Sequence, residues 1–159
     1  MAQDLQIDKL DRQILSMLIK DAMTPFTEIA KELVISTGTV HVRIKKLTEM
    51  GVVVGSHLEI NPTKVGYDVC AFLGIFLDKG SDYHDCVTHM KKIPEIVEVH
   101  FTTGAYSMFA KVICRDTQHL RQVLSEQIQA IRGVQRTETI ISLEESIKRQ
   151  VEIKERKAR

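Results

Sequence analysis

Thr39, Val42, Arg43 and Lys46 fall on one side of a helix predicted within PFTEIAKELVISTGTVHVRIKKLTEM, Pro25 to Met50. Their types suit the base edges and phosphates of a nucleic-acid duplex. At about 100° per residue, the side opposite Ile44 carries Gly38, Thr39, Val42 and Lys46, with Arg43 and Lys45 on its flanks. A solvated face has little use for an exposed valine. A base-reading face can use one: Val42 could pack on a thymine methyl while Thr39 and Arg43 reach base edges. Ser36 and Thr37 would sit at the helix N-terminus, where free amides and the dipole favour a phosphate. With His41, these residues make up the candidate DNA-contacting set. The periodicity alone also fits an ordinary helical hairpin, and it is the outward face that favours DNA.

Other groupings offer less chemistry. His84 and His89 are five residues apart and fall on different sides of a helix, a poor metal pair even with Asp85 nearby. No GxSxG, HExxH or P-loop pattern occurs. Glu144-Glu145 reads as a charged strand end rather than two carboxylates in distinct environments, as acid/base work requires. The chain is therefore expected not to be an enzyme, and no metal or cofactor is expected. Cys70, Cys86 and Cys114 are odd in number, form no CxxC pair and sit in apolar patterns, so buried free thiols are expected.

The reading face needs a frame of helices. Phe26, Ile29, Ala30 and Leu33 recur at i, i+3, i+4 and i+7, with Thr24 as the expected N-cap and Pro25 at the first helical position. Val34-Ile35-Ser36 makes the turn, and Ser36 caps the second helix. Val40, Ile44 and Leu47 carry its inner stripe until Gly51 ends it. This is a helix-turn-helix pattern. Upstream, Asp8 and Asp11 form an acidic capping box for a helix whose face is Leu10, Ile14, Met17 and Leu18, ending near Ala22. Downstream, VVVGSHLEI reads either as a small wing, in which His57 touches a phosphate, or as a plain connecting strand.

Charge limits what one such unit can do. Residues 1–62 hold seven Lys/Arg against eight Asp/Glu, a balance of −1, while Ser36–Met50 alone is +2. Phosphate neutralisation supplies much of DNA affinity, so one unit would bind weakly and at least a dimer is expected. The acidic N-terminus is not expected to act as a signal peptide, and no apolar run approaches the roughly 18 residues of a membrane span. A cytoplasmic protein without membrane contact is expected.

Asn61-Pro62 is turn chemistry and marks a boundary. Three segments are therefore expected: 1–60, a DNA-binding unit with its connecting strand; 61–145, a second domain; and 146–159, a charged tail. In the second domain Asp68–Leu77 is nearly continuous in apolar residues, as in a central strand. Lys79-Gly80-Ser81-Asp82 breaks it, and Tyr83, Cys86, Val87 and Met90 mark a helix. Ile96–Thr103 and Ser107–Cys114 alternate as strands around Gly104-Ala105-Tyr106. Asp116 or Thr117 caps a second helix with Leu120, Val123, Leu124, Ile128 and Ile131 inward, and Val134–Leu143 closes as a strand. Strand, helix, strand, strand, helix, strand with right-handed crossovers gives a ferredoxin-like antiparallel sheet with both helices on one face. The fold class is α+β, and the uncovered sheet face points to a dimer.

These features together resemble the Lrp/AsnC (feast/famine) family of transcription regulators, over nearly all of Ile7 to Glu145. The most specific stretches are STGTVHVRIKKLTEMGVV, PTKVGYDV, TTGAYSMFAKV and TETIISLE, and GTVHVRI, LGIFL and TTGAYS are similar to the asparagine-responsive branch. The resemblance implies a sequence-specific DNA-binding regulator that dimerises through its sheets and assembles into octamers or open helical arrays, on the nucleoid of a prokaryotic cytoplasm. A small amino acid, asparagine favoured, would shift its assembly or DNA affinity. The implied effector site is His100, Thr102, Thr103, Gly104, Ala105, Tyr106 and Ser107, with Thr137, Glu138 and Thr139, and with His119 and Gln122 from a neighbouring subunit. Hydroxyls and close backbone amides there would suit a zwitterion. Thr137 and Thr139 share one strand face and Glu138 takes the other. The rival readings are an effector-independent nucleoid-organising protein and an amino-acid-sensing module that regulates an enzyme. Two departures from the family pattern stand out. Ser107 replaces a common Asp, and Val34 occupies a turn position where Gly is usual, which requires either a negative φ or strain.

Overall fold

The computed structural model describes residues 7–78 and 83–153. They divide into two compact units, Met1–Glu59 with Ile147–Arg159, and Ile60–Ser146. The expected break at Lys79–Asp82 lies outside the described residues.

In the first unit, Asp8 and Asp11 close the capping box of α1, Lys9–Lys20: Asp11 N–H donates to Asp8 at 2.8 Å and Asp8 N–H to Asp11 at 3.1 Å. α2 (Phe26–Glu32) and α3 (Thr37–Glu49) follow. Ile14, Ile29, Ala30 and Val40 form the buried centre, flanked by Leu10, Met17, Leu18, Phe26, Leu33, Ile35 and Ile44. The predicted stripes thus meet as a three-helix unit.

α2 and α3 end in the same way. Ile35 N–H reaches Ala30 O at 2.9 Å and Val34 N–H reaches Lys31 O at 3.3 Å; at the end of α3, Val52 N–H reaches Leu47 O and Gly51 N–H reaches Thr48 O, both at 2.9 Å. Both are Schellman closures, which demand a left-handed residue just past the helix. Gly51 supplies φ +70° without cost, whereas Val34 supplies φ +56° with a β-branched side chain. The turn is therefore made with strain rather than by a different backbone.

Two local expectations are corrected. Thr24 does not cap α2: Pro25 is the N-cap residue, and the Thr24 hydroxyl donates back to Asp21 O at 2.8 Å. No wing forms, because Val52 and Val53 both donate to Leu47 O, so the start of the segment is consumed in closing α3. The remainder is too short for a stable two-stranded ribbon. Residues 52–60 run without ladder partners among the described residues, leaving Val54 and Leu58 exposed. Glu59 then pairs with Lys148 at 2.8 Å.

The second unit opens with a 3₁₀ turn over Pro62–Val65, capped by Asn61 and closed by Gly66 in the left-handed region. β1 (Val69–Leu77), α4 (Tyr83–Met90), β2 (Ile96–Phe101), β3 (Met108–Cys114), α5 (Thr117–Gln122) and β4 (Val134–Ile141) follow. The sheet order is β2-β3-β1-β4, antiparallel throughout, so β1 is central as its apolar run predicts. Ala71, Leu73 and Ile75 alternate inward against Met108, Ala110 and Val112 and against Cys86, Met90, Leu120, Val123 and Ile128 of the helical layer. Asp116 caps α5 by accepting from His119 N–H at 2.7 Å. Past Gln122 the helix loosens into a π turn over Val123–Ile128, which its apolar spacing did not reveal.

Candidate functional site

On α3, Ser36 spends its hydroxyl on the cap: Thr39 N–H donates to it at 3.0 Å, and the two hydroxyls lie 2.8 Å apart. Val42 stays 68% exposed, although hydrophobic side chains elsewhere in this helix turn inward. Lys46 is exposed beside it and makes no ion pair among the described residues, while Lys45 lies 4.0 Å from Glu49. His41 sits edge-on to Phe26, with ring centroids 4.8 Å apart. A hydroxyl, an apolar contact and a cation, Thr39, Val42 and Lys46 at i, i+3 and i+7, line one strip of the helix. Such a strip can read a major-groove edge and its phosphates.

Arg43 departs from the expectation. Its Nη1 donates to Asp11 at 3.0 Å and also to Asp8. Asp11 is completely buried, and Arg43 is the ion-pair partner it has among the described residues. Hydrogen bonding from Arg43 holds the Asp8 carboxyl below its ordinary range, and the two carboxylates hold the guanidinium's pKa above its own. The guanidinium is thus engaged within the three-helix unit. Sequence reasoning placed Asp8 and Asp11 correctly as caps, but no local spacing shows a partner more than thirty residues away.

In the second unit the expected effector residues separate into groups. The hairpin between β2 and β3 is held by Thr102 N–H to Ser107 O at 3.2 Å and by the Thr102 hydroxyl to Tyr106 O at 2.8 Å. Ser107 accepts from Leu77 N–H at 3.3 Å and donates its own amide to Ile75 O at 2.9 Å, anchoring the hairpin to β1. Thr103, Gly104 and Ala105 form its exposed tip. Gly104 has φ +110°, with open space where a Cβ would be. The hydroxyls of Thr102 and Ser107 thus shape the loop, and the tip offers backbone.

Tyr106 folds back over the open sheet face. Its hydroxyl donates to Glu138 at 2.9 Å, Arg136 donates to the other Glu138 oxygen at 2.5 Å, and the Arg136 guanidinium lies 3.5 Å over the Phe76 ring. Hydrogen bonds from Arg136 and then Tyr106 hold the Glu138 carboxyl low, and Glu138 in turn raises the Tyr106 phenol. Thr137 is on the opposite face, its hydroxyl accepting from Gln129 at 2.9 Å. The expected division of Glu138 from Thr137 and Thr139 is present, so the three do not converge. His100, exposed, lies 3.6 Å from Glu98 on the open face.

His119 stands apart. Its Nδ1 accepts from Arg115 N–H at 3.3 Å, and its Nε2 faces Glu95 at 3.1 Å. Glu95 and Arg115 flank the far ends of β2 and β3, about 20 Å from the hairpin at the usual strand rise. One chain does not bring His119 or Gln122 to the 102–107 loop. Gly74, Arg136 and Gln129 were not singled out in the sequence; an isolated glycine inside an apolar strand was the available signal for Gly74.

Among the described residues, no group of three His, Cys, Asp or Glu could hold a metal ion, and no helix is long and apolar enough to cross a membrane.

Comparisons agree over most of the chain. The AsnC-type helix-turn-helix domain matches residues 7–48, and the Lrp/AsnC ligand binding domain matches residues 70–152. The Regulatory protein AsnC of Haemophilus influenzae is 43% identical over 145 residues, covering 91% of this chain and 97% of that protein. Its Escherichia coli K12 counterpart is 41% identical over 145 residues, covering 91% and 95%. The solved E. coli AsnC structure superposes with TM-score 0.86 at 39% identity, covering 92% of this chain and 99% of that one. A Neisseria meningitidis regulator solved as an L-Met complex shares the fold, with TM-score 0.85 at 22% identity over 92% of this chain and 96% of its own. With a reading helix in one unit and a ligand-binding domain in the other, the chain belongs to the Lrp/AsnC family of transcription regulators.

Proposed function

We propose that the chain reads double-stranded DNA through Thr39, Val42 and Lys46 on α3, with Ser36, Thr37, Gly38, His41 and Lys45 around them. In this reading it works as a homodimer or higher assembly in the prokaryotic cytoplasm, and a small amino acid, asparagine favoured, adjusts that assembly or its grip on DNA. The observation that carries the DNA reading is the exposed Val42 between a hydroxyl and a cation, Lys46, that makes no ion pair among the described residues, on the second helix of a helix-turn-helix. Self-association is supported by the weak local charge and by the open sheet face, where Phe72, Phe76, Phe109 and Ile140 lie with no helix of the described residues over them.

The effector reading rests on the hairpin. With the hydroxyls of Thr102 and Ser107 committed to the loop, the exposed backbone around Gly104 would take the ligand carboxylate, and neighbouring carbonyls its ammonium. Completion by His119 and Gln122 would come from another subunit. The test is a thermal-shift screen against the twenty amino acids, followed by DNA binding and sedimentation with any hit. A specific ligand raises Tm by mass action. If none moves Tm, assembly or DNA affinity, the protein is an effector-independent DNA organiser.

A further inference from the structure

Arg43 lies on the recognition helix, yet its bonded partners lie on α1. Asp11 is the buried charged residue of the described chain, and Arg43 Nη1 is 3.0 Å from it. The same two carboxylates form the capping box that starts α1. One guanidinium therefore ties the rotation of α3 to a fixed point on another helix. Val42 is one residue away and Lys46 is three away, so a small turn of α3 about its axis moves both of them. Apolar packing sets the distance between helices more firmly than their rotation, since a stripe of aliphatic side chains can slide and repack. A directional ion pair to a buried acid resists that rotation.

We propose that Arg43 is a positioning residue for DNA recognition: tied to Asp8 and Asp11, it aims Thr39, Val42 and Lys46 without itself reading a base. This rests on the reading of α3 as the DNA-contacting helix. Asp11 makes the idea separable from direct contact, because a completely buried side chain cannot touch DNA. Any effect of changing it on recognition must pass through Arg43 and the helix.

The experiment uses the full chain and two duplexes: one selected by the wild-type protein from a randomised pool, and a scrambled control. If the wild type selects no sequence, the DNA reading itself fails, and the proposal with it. Given a selected duplex, Arg43→Met and Asp11→Asn are each expected to lower the selected-to-scrambled affinity ratio about tenfold, with the double variant no worse than the worse single. The salt slope should be unchanged, and the loss should spread across the positions of the site. Arg43→Lys should restore part of the ratio. Binding is measured below each variant's melting transition. Should Asp11→Asn not fold, Asp8→Asn, on a half-exposed side chain, should show the same effect more weakly. The proposal is overturned if Arg43→Met relaxes one base pair while the aspartate variants leave the ratio intact. A salt slope lower by about one unit in Arg43→Met would also overturn it, since that marks a lost phosphate contact. Destabilisation alone would shift the melting curve and leave the ratio where it was.

Discussion

The ring of Tyr106 occupies the space that a side chain on Gly74 would need: a Cβ built there would lie 2.3 Å from Cε1 of the ring. The hairpin between β2 and β3 thus reaches onto the open face of the central strand, and only glycine in that strand allows it.

Gly74→Ala should therefore expel the ring and release its hydrogen bond to Glu138, destabilising the second unit by about 1–3 kcal/mol. In a Tyr106→Ala background the same change should cost almost nothing, because the conflict has been removed. Urea denaturation of the four proteins in this cycle measures the coupling. Additive losses would show that the ring and the glycine do not compete for space.

Val34 holds a left-handed backbone with an exposed, β-branched side chain that contributes no packing. Val34→Gly should stabilise the first unit by about 1 kcal/mol, the relief of strain being partly offset by the added freedom of glycine in the unfolded chain. A rise in the urea midpoint at constant m-value is the expected result.

Val42 and Lys46 should differ in kind. Val42→Ala is expected to relax preference at one base pair by roughly 1 kcal/mol, through loss of an apolar contact with thymine. Lys46→Ala should weaken selected and scrambled duplexes alike and flatten the salt slope by about one unit. Titrations at several salt concentrations separate the two outcomes.

Asp8 links stability to acid. Its carboxyl is held low in the folded protein, chiefly by the hydrogen bond from Arg43. A group depressed on folding stabilises above its unfolded pKa, near 4, and that contribution is lost as pH falls through the lower folded value. Asp8→Asn should therefore flatten the decline of Tm below about pH 4 relative to wild type. Parallel curves would mean the ion pair adds nothing to folding.

The cysteines should be slow to react. Burial pushes the Cys114 thiol up to about 11 and raises that of Cys70, while Cys86 is buried against Arg132 O. Native protein at pH 8 should react slowly with a thiol reagent, and unfolding should expose all three thiols. Fast labelling of native Cys114 would contradict its burial.

Much of this protein could be read from residue order, because its determinants are local. The capping pair Asp8 and Asp11 starts α1, Ser36 and Gly51 bound α3, and the alternation of Ala71, Leu73 and Ile75 sets the inward face of β1. Each of these depends on neighbours within a few positions, as does the helix-turn-helix pattern that presents Val42. The tertiary structure alone decided which long side chains were already engaged. Arg43 looked like a free arm on the recognition helix, and the fold pairs it with Asp11 on another helix. The Ser107 hydroxyl looked available until Leu77 N–H was found against it. It also seated Glu138 with Tyr106 and Thr137 with Gln129, and placed His119 at the far end of the sheet. A cap or a stripe is satisfied by residues close in the chain, whereas a buried charge or a flexible polar group takes whichever partner the packed fold delivers.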